Sequence, residues 1–208
     1  RGLDVVGDTL EAQQAGCGVE DRIAGGRIAI ARLAGFNGTP ETLAQACIAA
    51  EGASDPLMFA KADRLLWASR LGKVLAHGPQ VPRAHLLTGF FGPSLPTCAT
   101  DQDYDDIRDL VTAWMQAHQL SDFATIASES AARCIARRGP ADDPTARLAK
   151  DLGALGWSAS HSGAARALIF APGTLPPFGA AAMRQAGLRS VQTLSTGYTQ
   201  GHGAGRHA

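Results

Sequence analysis

The stretch WSASHSGAARALIF, residues 157–170, decides the architecture. Two runs of apolar and small side chains, 157–160 and 165–170, flank the turn His161-Ser162-Gly163. Short apolar runs bounded by turn residues are strand signals, and a short connection between two of them predicts a β-hairpin. Downstream, residues 176–186 read as a helix and 190–196 as a closing strand. Upstream, residues 84–91 form an apolar run closed by Gly92-Pro93, a further strand. Residues 103–118 carry the clearest helical period: Ile107, Leu110, Val111, Trp114, Met115 and His118 fall at i, i+3, i+4, i+7, i+8 and i+11. Ser121 is the expected cap of the next helix, with Phe123, Ile126, Ala127, Cys134 and Ile135 inward and Arg138-Gly139-Pro140 as its stop. Asp143-Pro144 opens a third helix, running to Leu152. Strand, helices, hairpin, helix, strand predicts an α+β unit with helices on one face of an antiparallel sheet.

Ahead of this unit, Gly78-Pro79 and Val81-Pro82 mark a boundary, giving expected domains of 1–82 and 83–197 and a Gly-rich tail, 198–208, with His202 and His207. In the first domain residues 22–36 read as a helix with small side chains on most faces. Thr39 and Pro40 open a second helix as N-cap and first helical residue, running to about Glu51. LLWAS and KVLAH then suit short strands. Trp67, Trp114 and Trp157 sit at core positions of their elements.

Composition bounds the function. Lys+Arg and Asp+Glu are both 19, so the chain is formally neutral and lacks the basic excess of a nucleic-acid or anionic-membrane binder. At 45% hydrophobic and 18% charged residues it can bury a core. No apolar run approaches a membrane span, and no signal or transit peptide is legible at Arg1-Gly2-Leu3-Asp4. Cys17, Cys47, Cys98 and Cys134 form no CxxC pair, which predicts reduced thiols in a cytoplasmic protein and no thiolate metal site.

Four stretches could carry chemistry. Gly16-Cys17-Gly18 precedes the helix at 22–36, where backbone N–H groups suit a phosphate, although glycines there also serve as plain turn residues and Glu20 and Asp21 would repel an anion. Asp55, in the loop Gly52-Ala53-Ser54-Asp55-Pro56, is placed either as a general base or metal ligand or as an Asp-Pro turn initiator. His161, Ser162 and Gly163 put donors and a group titrating near neutrality into a turn that only chain reversal would not require. The acidic run Asp101, Asp103, Asp105, Asp106 and Asp109 lacks the glycine and terminal Glu of a calcium loop and reads as a solvated helix start.

TPETLAQACIAAEGASDPLMF (39–59), LGALGWSASHSGAARALIFAPG (152–173) and LSTG (194–197) together resemble the GHMP small-molecule kinases, and most closely the L-threonine kinases of cobalamin side-chain synthesis. The resemblance spans residues 16–197. It implies a partial N-terminal nucleotide-binding domain of the ribosomal-protein-like type, its front missing or diverged, followed by a ferredoxin-like C-terminal domain. It further implies ATP and magnesium as cofactors and transfer of a phosphoryl group to a hydroxyl. Gly16 and Gly18 would be phosphate-loop glycines, Asp55 the acid near the acceptor hydroxyl, and His161, Ser162 and Gly163 the lining of the substrate site. Val19-Glu20-Asp21 stand where the family has small hydroxyl residues. Two other readings remain: a non-catalytic module that binds a ligand or partner, and a structural subunit whose exposed sheet edge pairs with a second chain as a homodimer.

Overall fold

The computed structural model describes residues 35, 38–93, 100, 103–161 and 163–196. The expected helix at 22–36, Gly16, Gly18, Ser162 and the tail lie outside them, Gly35 excepted.

Helix α1 (Pro40–Glu51) forms where its caps predict. Thr42 N–H donates to Thr39 Oγ1 at 3.3 Å, and Pro40 occupies the first turn, where no amide hydrogen is needed. Gly52 closes the helix at φ 84°, a conformation glycine adopts without steric cost, and donates to Ile48 O. A short 3₁₀ turn (Ala62–Arg64) leads into β1 (Leu65–Ala68), which pairs antiparallel with β2 (Lys73–His77). The buried residues Ala44 and Cys47 of α1 pack with Met58, Leu65 and Trp67 beneath this ribbon.

The remaining elements are β3 (His85–Phe90), α2 (Arg108–Met115), α3 (Leu120–Arg138), α4 (Thr145–Asp151), β4 (Gly156–Ala159), β5 (Ala165–Phe170), α5 (Gly179–Gln185) and β6 (Arg189–Ser195). Their four strands make one antiparallel sheet in the order β4-β5-β3-β6. The predicted hairpin is β4–β5, with Trp157 opposite Leu168. The protein is therefore α+β with antiparallel sheets.

Helices do not lie on one face of this sheet, as the element order suggested; they cover both. Neighbouring strand residues point to opposite faces, and Leu86 and Leu87 of β3 are 3% and 0% exposed. Leu86 packs with Ile169 and with Ala124 and Ala127 of α3. Leu87 packs with Leu168, Phe170, Leu148 of α4 and Met183 of α5. A third cluster joins Trp114 of α2 and Phe123 of α3 to Leu66 of β1 and Val81, so the β1–β2 ribbon shares apolar contacts with the helices.

Two helix starts differ from expectation. The periodic run at 103–118 is helical only over Arg108–Met115; Asp103, Asp105 and Asp106 precede it, remain in contact with solvent and also pair with arginines, and Asp106 Oδ1 accepts from the Arg108 amide at the helix start. Helix α3 is capped by Gln119 and not Ser121: Asp122 Oδ2 accepts from the Gln119 and His118 amides, completing a capping box.

Helix α3 approaches β4 closely at Gly156, where an added Cβ would sit 2.3 Å from Ala124 O and 2.6 Å from Ser128 Oγ. Replacing Gly156 by Val is expected to lower stability in urea unfolding by about 1–3 kcal/mol through overpacking, with α3 losing its seat on β4.

Candidate functional site

Asp55 lies half-buried in the loop between α1 and the 3₁₀ turn. That loop is fixed from beneath: the fully buried Trp67 donates its indole Nε1–H to Ser54 O at 2.7 Å, and Ser54 N–H donates to Ser69 O at 3.1 Å. Pro56 is buried beside it and its carbonyl accepts from the Phe59 amide at 3.0 Å, so a turn does begin at the Asp-Pro pair, as one reading of the sequence held.

His161 and Gly163 occupy the β4–β5 turn, both half-buried. Ala165 N–H donates to Ser160 Oγ at 3.1 Å, closing the turn from inside. A Cβ at Gly163 would sit 2.7 Å from Ser160 Oγ, so a larger residue there would displace the hydroxyl that closes the turn. The Cys134 thiol of α3 lies 3.9 Å from His161 O. The imidazole of His161 packs edge-on against the Tyr104 ring at a centroid distance of 6.3 Å.

Tyr104 is the hinge of the site. The guanidinium carbons of Arg70 and Arg138 stand 4.7 and 4.5 Å from its ring centroid, within cation–π range. Arg70 Nη2–H also donates to the Tyr104 hydroxyl. Arg70 follows Ser69, which holds the Ser54 amide, so an unbroken line of contacts runs from the Asp55 loop through Ser69, Arg70 and Tyr104 to His161. The structure thus brings the Asp55 loop and the His161 turn into one neighbourhood through Arg70 and Tyr104, residues the sequence did not single out. Arg70 and Arg138 were invisible because each reads as an ordinary turn or helix-end cation.

A lattice of exposed ion pairs fastens residues 103–109 to α3. Arg133 donates to Asp109 and Arg137 to Asp103 and Asp105, while Arg133 also pairs with Glu129 within α3 and Arg108 with Asp106 within the segment. The hydrogen bond from Arg137 lowers the Asp105 carboxyl, that from Arg133 lowers Asp109, and those from the Arg108 side chain and amide bring Asp106 to about 2. Among the described residues no group of three or more His, Cys, Asp or Glu side chains gathers as a metal cluster. No described helix is long and apolar enough to cross a membrane, and no disulfide involves Cys47 or Cys134.

No protein-family model matches the chain, and no curated protein matches it.

Two outcomes test this geometry. Trp67→Phe keeps the ring but leaves Ser54 O buried without its donor, which should cost about 1–3 kcal/mol in denaturant unfolding. The carboxyl of Asp106 is depressed from 3.8 to about 2, so its stabilisation is present above 3.8 and is lost as pH falls through about 2. Asp105 and Asp109 act in the same direction. The melting temperature should therefore fall across that acid window, and the fall should be shallower in Asp106→Asn.

Proposed function

We propose that the chain is a phosphotransferase of the GHMP kinase type, moving the terminal phosphoryl group of ATP to the hydroxyl of a small molecule, with L-threonine the first candidate. The observation that carries this reading is the line of contacts from the Asp55 loop to the His161 turn, because these are the two stretches through which the sequence resembles that family. The sheet order β4-β5-β3-β6 and the β-α-β-β-α-β succession support the ferredoxin-like part of the resemblance, while helices on both faces of the sheet depart from that fold's single helical layer.

Phosphoryl transfer asks a protein mainly to position groups and neutralise charge. In this reading the acceptor hydroxyl sits beside Asp55, whose carboxylate takes its proton while the oxygen bonds to phosphorus and ADP departs. His161 and Gly163 line the acceptor pocket, with Ser162 between them. Magnesium carried on nucleotide phosphates needs only one or two protein carboxylates, so a fixed loop bearing a single Asp is compatible with it. Gly16 and Gly18 would cradle the phosphates. The substrate is a small molecule and not nucleic acid, and the work is done in the cytoplasm.

A second reading, a non-catalytic module that binds a ligand or partner, is favoured by Val19-Glu20-Asp21, where acids replace the hydroxyl residues that would assist phosphate and magnesium. Incubation of the purified protein with ATP, magnesium and L-threonine separates the two. The kinase reading expects ADP and phosphothreonine, with Asp55→Asn lowering kcat by about 10²-fold or more. No turnover and no thermal shift with nucleotide, but retained threonine binding, would leave the binding module.

A further inference from the structure

The β4–β5 turn is held from behind by a buried ion pair that plays no part in the sheet ladder. Arg166 of β5 and Asp143, in the loop ahead of α4, have side chains only 3% and 4% exposed, and Arg166 Nε–H donates to Asp143 Oδ2 at 2.6 Å. Asp143 Oδ1 accepts from the Thr145 amide at 2.9 Å and the Thr145 hydroxyl at 2.5 Å. Arg166 Nη1–H is shared between Ala165 O at 2.7 Å and Gly163 O at 3.4 Å. The guanidinium therefore binds two carbonyls of the turn on one side and a carboxylate locked to a helix start on the other.

A buried pair of this kind is poor value as a stabiliser, since the desolvation of two ions offsets much of their attraction and apolar replacements of similar volume are often neutral. What it does supply is direction: a planar fork with fixed donor angles sets the carbonyls it touches. We infer that Arg166, oriented by Asp143, is a positioning residue that sets the Gly163 and Ala165 carbonyls of the turn, and, through the Ser160 amide that also donates to Ala165 O, the placement of the neighbouring His161 ring against Tyr104. This rests on the reading of that turn as the ligand-contacting edge, but its test does not use turnover, so failure of the kinase reading leaves the outcome legible.

Two variants of the full chain test it. Arg166→Lys keeps a cation for Asp143 but lacks the fork that reaches Ala165 and Gly163. The double replacement Asp143→Leu with Arg166→Met removes both charges together, so neither is stranded in the interior. In both, amide exchange at Ala165, whose N–H donates to Ser160 Oγ, should rise about ten-fold through local opening of the turn. The His161 imidazole resonance, assigned by its disappearance in His161→Gln, should move as the ring leaves the Tyr104 edge. Exchange and resonance unchanged in a folded variant would overturn the inference. So would loss of folding in both variants, which would make the pair a requirement of the sheet itself.

Discussion

The contact on which most of the C-terminal unit depends is the seating of α3 against β4. Gly156 has no Cβ, so the helix backbone can come within contact distance of the strand at Ala124. Ser128 exploits that proximity twice: its hydroxyl donates to Ala124 O at 2.7 Å and accepts from Trp157 N–H at 2.9 Å, giving a strand amide a partner outside the sheet. Such an amide left unpaired in the interior would carry a desolvation cost, and an uncovered strand edge invites association. A single small residue and one hydroxyl thus fix where a 19-residue helix lies.

From that seat α3 reaches several parts of the molecule. Ala124 and Ala127 fill the core on one face of the sheet, and Ala131 joins the core that contains Leu87 and Met183. Phe123 and Ile126 turn toward Trp114 and Leu66. The far end of the helix carries Arg133, Cys134, Arg137 and Arg138, which meet the acidic segment, the His161 carbonyl and the Tyr104 ring. Small side chains at the packed end and long cations at the other divide the helix between core and site. The alanine richness that says little in a composition table has a structural meaning here, because it lets the helix lie close to its neighbours.

The polar pins of the site share a pattern. Trp67 holds the Asp55 loop through Ser54 O, Ser160 closes the His161 turn through Ala165 N, and Arg70 joins the two regions by way of Tyr104. Each pin pairs a side chain with a loop backbone or ring, and loops without such partners would have no fixed course.

Local signals made much of this legible. Thr39-Pro40, the hairpin around His161-Ser162-Gly163, the strands at residues 65–68, 73–77 and 85–90, and the burial of all three tryptophans follow from capping chemistry, turn residues and hydrophobic runs, which act over a few positions. The candidate residues Asp55, His161 and Gly163 were visible as polar groups in short loops. The shortened α2, the Gln119 cap, the coverage of both sheet faces and the Arg70–Tyr104–Arg138 cluster were not. Helical period at 103–118 was real, but arginines on α3 pair with Asp103, Asp105 and Asp109, and a tertiary ion pair leaves no trace in local spacing. By itself the sequence determined the elements and their order, because those depend on neighbours in the chain. The tertiary structure alone decided which loops meet, because Arg70, Tyr104, Arg138 and His161 are far apart in the chain and are brought together only by the packing of the elements that carry them.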